Sequence, residues 1–344
     1  MKTLPTAPKR ILVIDLALIG DLVCATPALA ALRAAYPGAE LCVMAASGAA
    51  AVLAHHPYIS RLVRVDKRAI HRSFSAVLAA ARQARMLDCE LAVLFHNSFV
   101  AAAIVFLARV PSRAGYTTDL RGGLLTHRVP PPARRLHLVD QRLELLRRLG
   151  LPAEDTEPVY YVDRDAADAT ALALLPGWSR NLPLLVLVVG ASWPTKQWPR
   201  ERMQALCCKL PPGGCALALV GAPGQEELAE GIAPGGVPVF NLVGKTDIEQ
   251  LGHILALATA VVTPDSGPMH MAAGLGKRVV ALFGPTDAAL CGMRHSLGVH
   301  LLPPALCRCH WKKRCTAESF CMSEITEDMV LDAVLPCLAA AEVR

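Results

Sequence analysis

Residues 261–287 read VVTPDSGPMHMAAGLGKRVVALFGPTD, and this stretch decides the fold. The apolar residues 260–263 make a short buried strand that ends at a turn holding Asp265, Ser266 and Gly267. A helix of small residues follows, then a second buried strand at 279–283 ending in Gly284-Pro285-Thr286-Asp287. Strand, turn, helix and strand in this order form the unit of a parallel α/β sheet. Ser266 is placed to cap the helix, whose first N–H groups then face the C-terminal edge of the sheet. Open α/β sheets bind ligands at that edge, and a helix N-terminus there favours phosphate. The carboxylate of Asp265 repels phosphate but accepts hydrogen bonds from a ribose or another sugar. The stretch therefore points to a nucleotide or sugar nucleotide, with its diphosphate on the amides and its hydroxyls on the acid.

The same alternation runs in both directions from this unit. Residues 9–15 (KRILVID) read as a strand, followed by a loop with Gly20 and Asp21 and a helix to about Tyr36, where Pro27 marks a late start or a kink. Strands near 40–45, 61–65 and 91–95 alternate with helices near 47–55, 73–86 and 99–108. A Gly/Arg-rich loop at 114–123, a Pro-rich stretch at 129–133 and a helix at 138–149 close this half. Proline and turn residues place a linker at 151–164 and 175–182. Strands near 184–189, 216–220, 238–242, 260–263 and 279–283 then alternate with helices, and a last helix at 326–341 has room to reach back across both lobes. Such alternation predicts doubly wound parallel sheets in two open α/β lobes facing a cleft. The expected domains are 1–165, 183–325 and the helical segment 326–344.

A length of 344 residues suits two domains, each with its own core. The 53% hydrophobic content is spread through short runs, none of them near the ~18 residues that span a bilayer. The N-terminus, MKTLPTAPKR, leads into a strand with no apolar signal region, so a cytoplasmic location is expected. A net charge of +6 is modest, but Arg61, Arg64, Lys67, Arg68 and Arg72 lie close together, as do Arg134 and Arg135. These read either as a solvated surface or as a patch for an anionic acceptor or an anionic membrane surface. No nucleic-acid motif accompanies them, so nucleic acid is not an expected partner.

Of twelve cysteines, four fall in C-x-C-x5-C-x5-C: Cys307, Cys309, Cys315 and Cys321. Thiols this close suit a structural zinc or iron site, unpaired reduced thiols, or, least in a reducing compartment, disulfides. Glu226 follows a GAPGQ turn and serves either a ribose or the first turn of a helix. His270 lies four residues after Ser266, reaching a ligand or orienting Asp265, or else filling a core position. Asp21 is by itself either a helix-capping acid or a base at a strand exit. His96 and Asn97 end a strand where they can touch a second substrate.

Three segments together resemble the ADP-heptose:lipopolysaccharide heptosyltransferases of glycosyltransferase family 9. They are Gly20-Asp21 with Pro27, GASWPTKQWP at 190–199, and PDSGPMHMAAGLGKRVVALFGPTD at 264–287, the most specific of the three. Pro268 departs from the usual family pattern. The resemblance implies a GT-B fold and inverting transfer of heptose from ADP-heptose to an anionic inner-core sugar, with no catalytic cofactor and no DxD-type metal motif. It implies that Asp21 is the catalytic base, that Lys196 with Thr195 meets the donor diphosphate, and that Asp265, Ser266 and Gly267 form the donor turn. It further puts Arg61, Arg64, Lys67, Arg68 and Arg121 on the acceptor side, at a protein that can rest on the inner membrane surface. A related branch, acting on autotransporter proteins, holds iron through a cysteine cluster, which keeps open a protein O-heptosyltransferase with a Cys-bound metal. A nucleotide-sugar epimerase of similar fold and a non-catalytic nucleotide-binding module are the competing classes.

Overall fold

The first strand, β1 (Arg10–Asp15), is buried over all but its first residue because apolar side chains cover both faces. In the computed structural model, which describes residues 3–233, 235–305, 307, 310–316 and 320–339, β1 lies between two like strands. With β2 (Glu40–Ala46), β3 (Arg61–Val65), β4 (Leu91–Leu94), β5 (Ser112–Tyr116) and β6 (His127–Val129) it forms a parallel sheet in the order β3-β2-β1-β4-β5-β6. The chain winds outward from β1 to β3, then crosses back to β4 and winds the other way. The ends of β1 and β4 therefore stand side by side where the order reverses, and the register Ile14↔Leu94 brings Asp15 next to Phe95 and His96.

A second sheet repeats this topology. It comprises β7 (Leu184–Val188), β8 (Ala216–Val220), β9 (Val239–Asn241), β10 (Ala260–Pro264), β11 (Arg278–Leu282) and β12 (Gly298–Leu301), in the order β12-β11-β10-β7-β8-β9. Its reversal lies between β7 and β10, beside the loop at Gly190 and the turn at Asp265. The chain divides into two compact units, Met1–Pro158 and Val159–Arg344. Each sheet carries its own apolar core: Leu12, Met44, Leu94 and Ile104 in the first, and Leu187, Leu219, Val262 and Val280 in the second.

Several elements differ from the sequence expectation. The helix through Pro27 is two helices, Ile19–Val23 and Thr26–Ala35, with Pro27 in the first turn of the second, where its missing N–H costs nothing. The helix expected at 47–55 contracts to a 3-10 turn, Ala50–Leu53. The Gly/Arg-rich loop begins inside β5, where a Cβ on Gly115 would stand 3.2 Å from the Leu94 Cβ, so glycine permits the close strand approach. Between the two linker stretches, in residues the sequence left unassigned, lies a helix, Arg164–Leu174, capped by Asp163, which packs on the helix Ile248–Leu257. The last helix, Glu327–Ala339, packs on β10, β11 and the helix Arg200–Cys208 of its own unit; residues 340 and 341 of its expected span lie outside the described residues. No helix among the described residues is long and apolar enough to cross a membrane.

Candidate active site

At the first reversal point, β1 delivers Asp15, the loop after β4 delivers His96 and Asn97, and the helix Leu138–Arg148 delivers Arg142. With Asp21 and Lys67 these line a cavity of about 360 Å³. Arg142 donates from Nε and Nη2 to Asp15 Oδ2 at 3.0 and 2.8 Å, both side chains being buried. Burial pushes the Asp15 carboxyl above the usual range, and the Arg142 charge offsets part of that. Asp21 sits in the first turn of the helix Ile19–Val23, where Oδ2 accepts the Leu18 N–H at 3.2 Å. Its Oδ1 faces Arg142 Nη2 at 4.0 Å, and the side chain is partly open to solvent. Burial, and secondarily Lys67, pushes the His96 imidazole down to about 4, so this ring is neutral around pH 7.

At the second reversal point, Asp265 follows β10 and is buried. Its Oδ2 accepts from Lys196 Nζ at 2.6 Å, from Thr286 Oγ1 at 2.7 Å and from the Cys291 thiol at 3.6 Å. Lys196 lies 4.7 Å from the Trp193 ring centroid, a second source of fixation for the ammonium. Ser266 begins the helix Gly267–Gly274 but its hydroxyl meets Thr263 Oγ1 at 3.0 Å, so the expected side-chain cap is not made. The helix amides are left without a side-chain cap at the sheet edge, the arrangement that binds anions. The Lys196 ammonium from the turn Pro194–Lys196, the Asp265 carboxylate and the uncapped amides of the helix start, Pro268 excepted, together can take up a group carrying both phosphate and hydroxyls.

The model of the family described as "Glycosyltransferase family 9 (heptosyltransferase)" matches residues 77–318. The chain belongs to that family. Lipooligosaccharide heptosyltransferase 2 of Haemophilus ducreyi is 29% identical over 298 residues, 81% of this chain and 84% of that protein. A glycosyl transferase family 9 structure from Veillonella parvula superposes with a TM-score of 0.87 at 22% identity, covering 98% of this chain and 100% of that one. The E. coli ADP-heptose LPS heptosyltransferase II superposes with a TM-score of 0.79 at 24% identity, covering 97% and 99%. The architecture is thus the GT-B type of the family 9 enzymes, with two doubly wound halves.

Within this glycosyltransferase the residues expected from sequence are divided by the structure. Asp21 and Lys67 line the first cavity, and Lys196, Asp265, Ser266 and Gly267 meet at the second turn. His270 is buried in the same helix. Arg121, expected to face the acceptor, is fully buried. Its guanidinium donates to the carbonyls of Tyr116 (2.7 Å) and His96 and to Asn97 Oδ1 (2.7 Å), and burial pushes it down to about 10. It holds the His96–Asn97 loop in place. Thr195 is also buried, its hydroxyl donating to the Lys312 carbonyl at 2.8 Å, so it anchors that loop. Arg61 starts β3 at the sheet end away from the cavity, and Arg64 falls on the opposite strand face by the period of two. Arg68 is exposed, and of the expected acceptor residues only Lys67 reaches the cavity. Glu226 is exposed on a 3-10 turn, with Oε1 accepting the Gly224 N–H at 3.1 Å.

A literal D-x-D triplet does occur, at Asp163-Arg164-Asp165, contrary to the expectation. Asp163 there accepts the Asp165 and Ala166 amides as a helix cap, far along the chain from either site. In the cysteine cluster, Cys321 is buried beside Cys307, and burial with that neighbour pushes its thiol up to about 12. Cys315 is exposed and Cys309 lies outside the described residues. Metal needs thiolates gathered in a closed set, and the described residues bring no three ligating side chains together there. Asp15, Arg142, Thr286 and Cys291 were missed. The signal for Arg142 was available: it takes an apolar-face position, with Val139, Leu143 and Leu146 at helical spacing. A charge there requires a buried partner.

Proposed function

We propose that this chain is an inverting heptosyltransferase that moves heptose from ADP-heptose to an anionic inner-core sugar of lipopolysaccharide. Names of its relatives support the substrate class, since each is a lipopolysaccharide or lipooligosaccharide heptosyltransferase. The observation that carries the reading is Asp21, partly open to solvent in the first cavity, beside a lysine able to meet an anionic acceptor. In this mechanism the unit Met1–Pro158 takes the acceptor and the unit Val159–Arg344 takes the donor. Asp21 accepts the proton of the acceptor hydroxyl as that oxygen bonds to heptose C1. The C1–O bond to the diphosphate breaks, its electron pair leaving with ADP. Attack from the face opposite the leaving group inverts C1. Lys196 and the amides at the start of the helix Gly267–Gly274 neutralise the leaving diphosphate, so transfer needs no metal at this step. Asp265 accepts hydroxyls of the donor sugar.

The test is calorimetric titration with ADP, UDP and GDP, with and without EDTA, followed by transfer assays with ADP-heptose. Preference for ADP that survives EDTA is expected. Preference for UDP, or binding abolished by EDTA, would overturn the donor assignment.

A further inference from the structure

The first cavity contains a buried ion pair for which the transfer step so far has no use. Asp15 and Arg142 are 127 residues apart in the chain, and both are buried. All the bonds made by the guanidinium fix its orientation: Nε and Nη2 on Asp15 Oδ2, and Nη1 on the Leu138 carbonyl at 2.8 Å. A buried pair is a weak stabiliser, because apolar residues of like volume often serve the fold as well. This one is also imperfectly paired. Asp15 Oδ1 lacks a hydrogen bond of good geometry, with only the Ala17 backbone amide acting weakly on the carboxyl, and His96 Nδ1 stands 4.0 Å from that oxygen. A carboxylate spent on both N–H groups with one oxygen is arranged to hold Arg142, more than to satisfy itself.

What Arg142 then presents is its Nη2 edge, 4.0 Å from Asp21 Oδ1. The other Asp21 oxygen is occupied by the Leu18 N–H at 3.2 Å. The carboxylate is thus held on two sides, by a backbone donor on Oδ2 and a tethered cation beside Oδ1. We infer that Arg142, tethered by Asp15, is the positioning residue of Asp21, fixing the carboxylate plane so that Oδ1 is the oxygen offered to the acceptor hydroxyl. This rests on Asp21 being the base. Arg142 itself touches no reacting atom. Its effect belongs to kcat for transfer, while donor binding, made by residues of the other unit, is untouched.

The test is a double-mutant cycle on kcat. The paired replacement Asp15→Leu with Arg142→Met removes both charges and keeps the volume. It is expected to lower kcat about 10- to 100-fold with ADP affinity unchanged, as typical for lost orientation of a catalytic group. In an Asp21→Ala background the same replacement is expected to change the residual rate less than about threefold, because its effect runs through Asp21. Wild-type kcat in the paired variant overturns the inference. So does an equal loss in both backgrounds, which marks a purely structural role. Should the paired variant not fold, Asp15→Asn, which keeps Arg142 and the side-chain shape, is put through the same cycle under the same criteria. Wild-type turnover by Asp21→Ala alone would instead remove the base assignment, an outcome distinct from failure of the positioning role.

Discussion

Arg121→Met separates what the sequence suggested for Arg121 from what the structure assigns to it. The substitution strands three close acceptors, the Tyr116 and His96 carbonyls and Asn97 Oδ1, while the Ser98 carbonyl, at 3.5 Å from Nη1, is a fourth partner too long to add much. At about 2 kcal/mol for each unpaired buried acceptor the loss is about 6 kcal/mol. Against it stands the cost of burying the guanidinium, which its fall from 12.5 to about 10 puts near 3 kcal/mol. The net destabilisation is about 3 kcal/mol. For a unit the size of Met1–Pro158, that lowers the melting transition by about 6–12 °C. Differential scanning calorimetry reads this directly, and Arg121→Lys, which keeps a charge but not the planar fork, should recover less than half of it. Activity falls as well, because the His96–Asn97 loop lines the cavity. A variant whose melting temperature stays within 2 °C or so of the parent, while acceptor KM alone rises, would refute the structural role and restore Arg121 as an acceptor ligand.

Asp21→Ala is expected to keep the melting temperature within about 3 °C and to bind ADP as the parent does, while transfer drops by about 10³-fold or more; retained turnover would remove Asp21 from the chemistry. Lys196→Met should weaken ADP binding about 10- to 100-fold by calorimetry, and an unchanged affinity would exclude contact with the diphosphate. Gly274→Ala places a Cβ 2.9 Å from the Tyr160 backbone nitrogen, which donates to the Gly274 carbonyl at 2.8 Å. Overpacking there should cost about 1–3 kcal/mol in urea denaturation, and an unmoved midpoint would show that the segment at Tyr160 yields freely. His96 and His56 both have pKa values pushed from 6.5 down to about 4 by burial. Between those values the unfolded chain binds the protons and the folded chain does not. Stability therefore falls as pH drops from about 6.5 to 4, by at most about 3 kcal/mol per histidine, and levels off below. His96→Gln should flatten part of that slope in pH-dependent denaturation; an identical slope would contradict the burial of the ring.

Where apolar runs were bounded by turn residues, the fold could be read directly. β8 fits the expected 216–220 because Gly214 and Gly221 bracket six buried apolar residues, Cys215 and the five of the strand. Of the four edge strands, β3 and β9 were read but β6 and β12 were not: β6 is three residues long with an arginine in the middle, and β12 contains Gly298 and His300. Their strand conformation comes from pairing with β5 and β11, a tertiary effect that local pattern does not carry. At the site, Asp21, Lys196 and Asp265 stood out because each ends or follows a strand in a motif. Arg121 and Thr195 looked like loop residues free to meet ligand, since nothing local reveals that their partners are the carbonyls of His96 and Lys312. The pair of Asp15 and Arg142 needed the register of β1 and the packing of a helix far along the chain, although a charge on an apolar helix face gave notice of it.

Under the proposed reaction, the contact between Lys196 and Asp265 makes the second site a coincidence detector. A bare anion that draws the lysine away leaves the carboxylate uncompensated in a buried position, and a neutral sugar gives the carboxylate hydroxyls but leaves the lysine in its old place. Only a ligand bringing both charge and hydroxyls repays both separated partners. Under the proposed reaction the same logic acts at the end of each turnover: once the sugar has gone, the lysine regains its carboxylate partner and the spent nucleotide loses its hold, so the product leaves more readily than the donor that brought it.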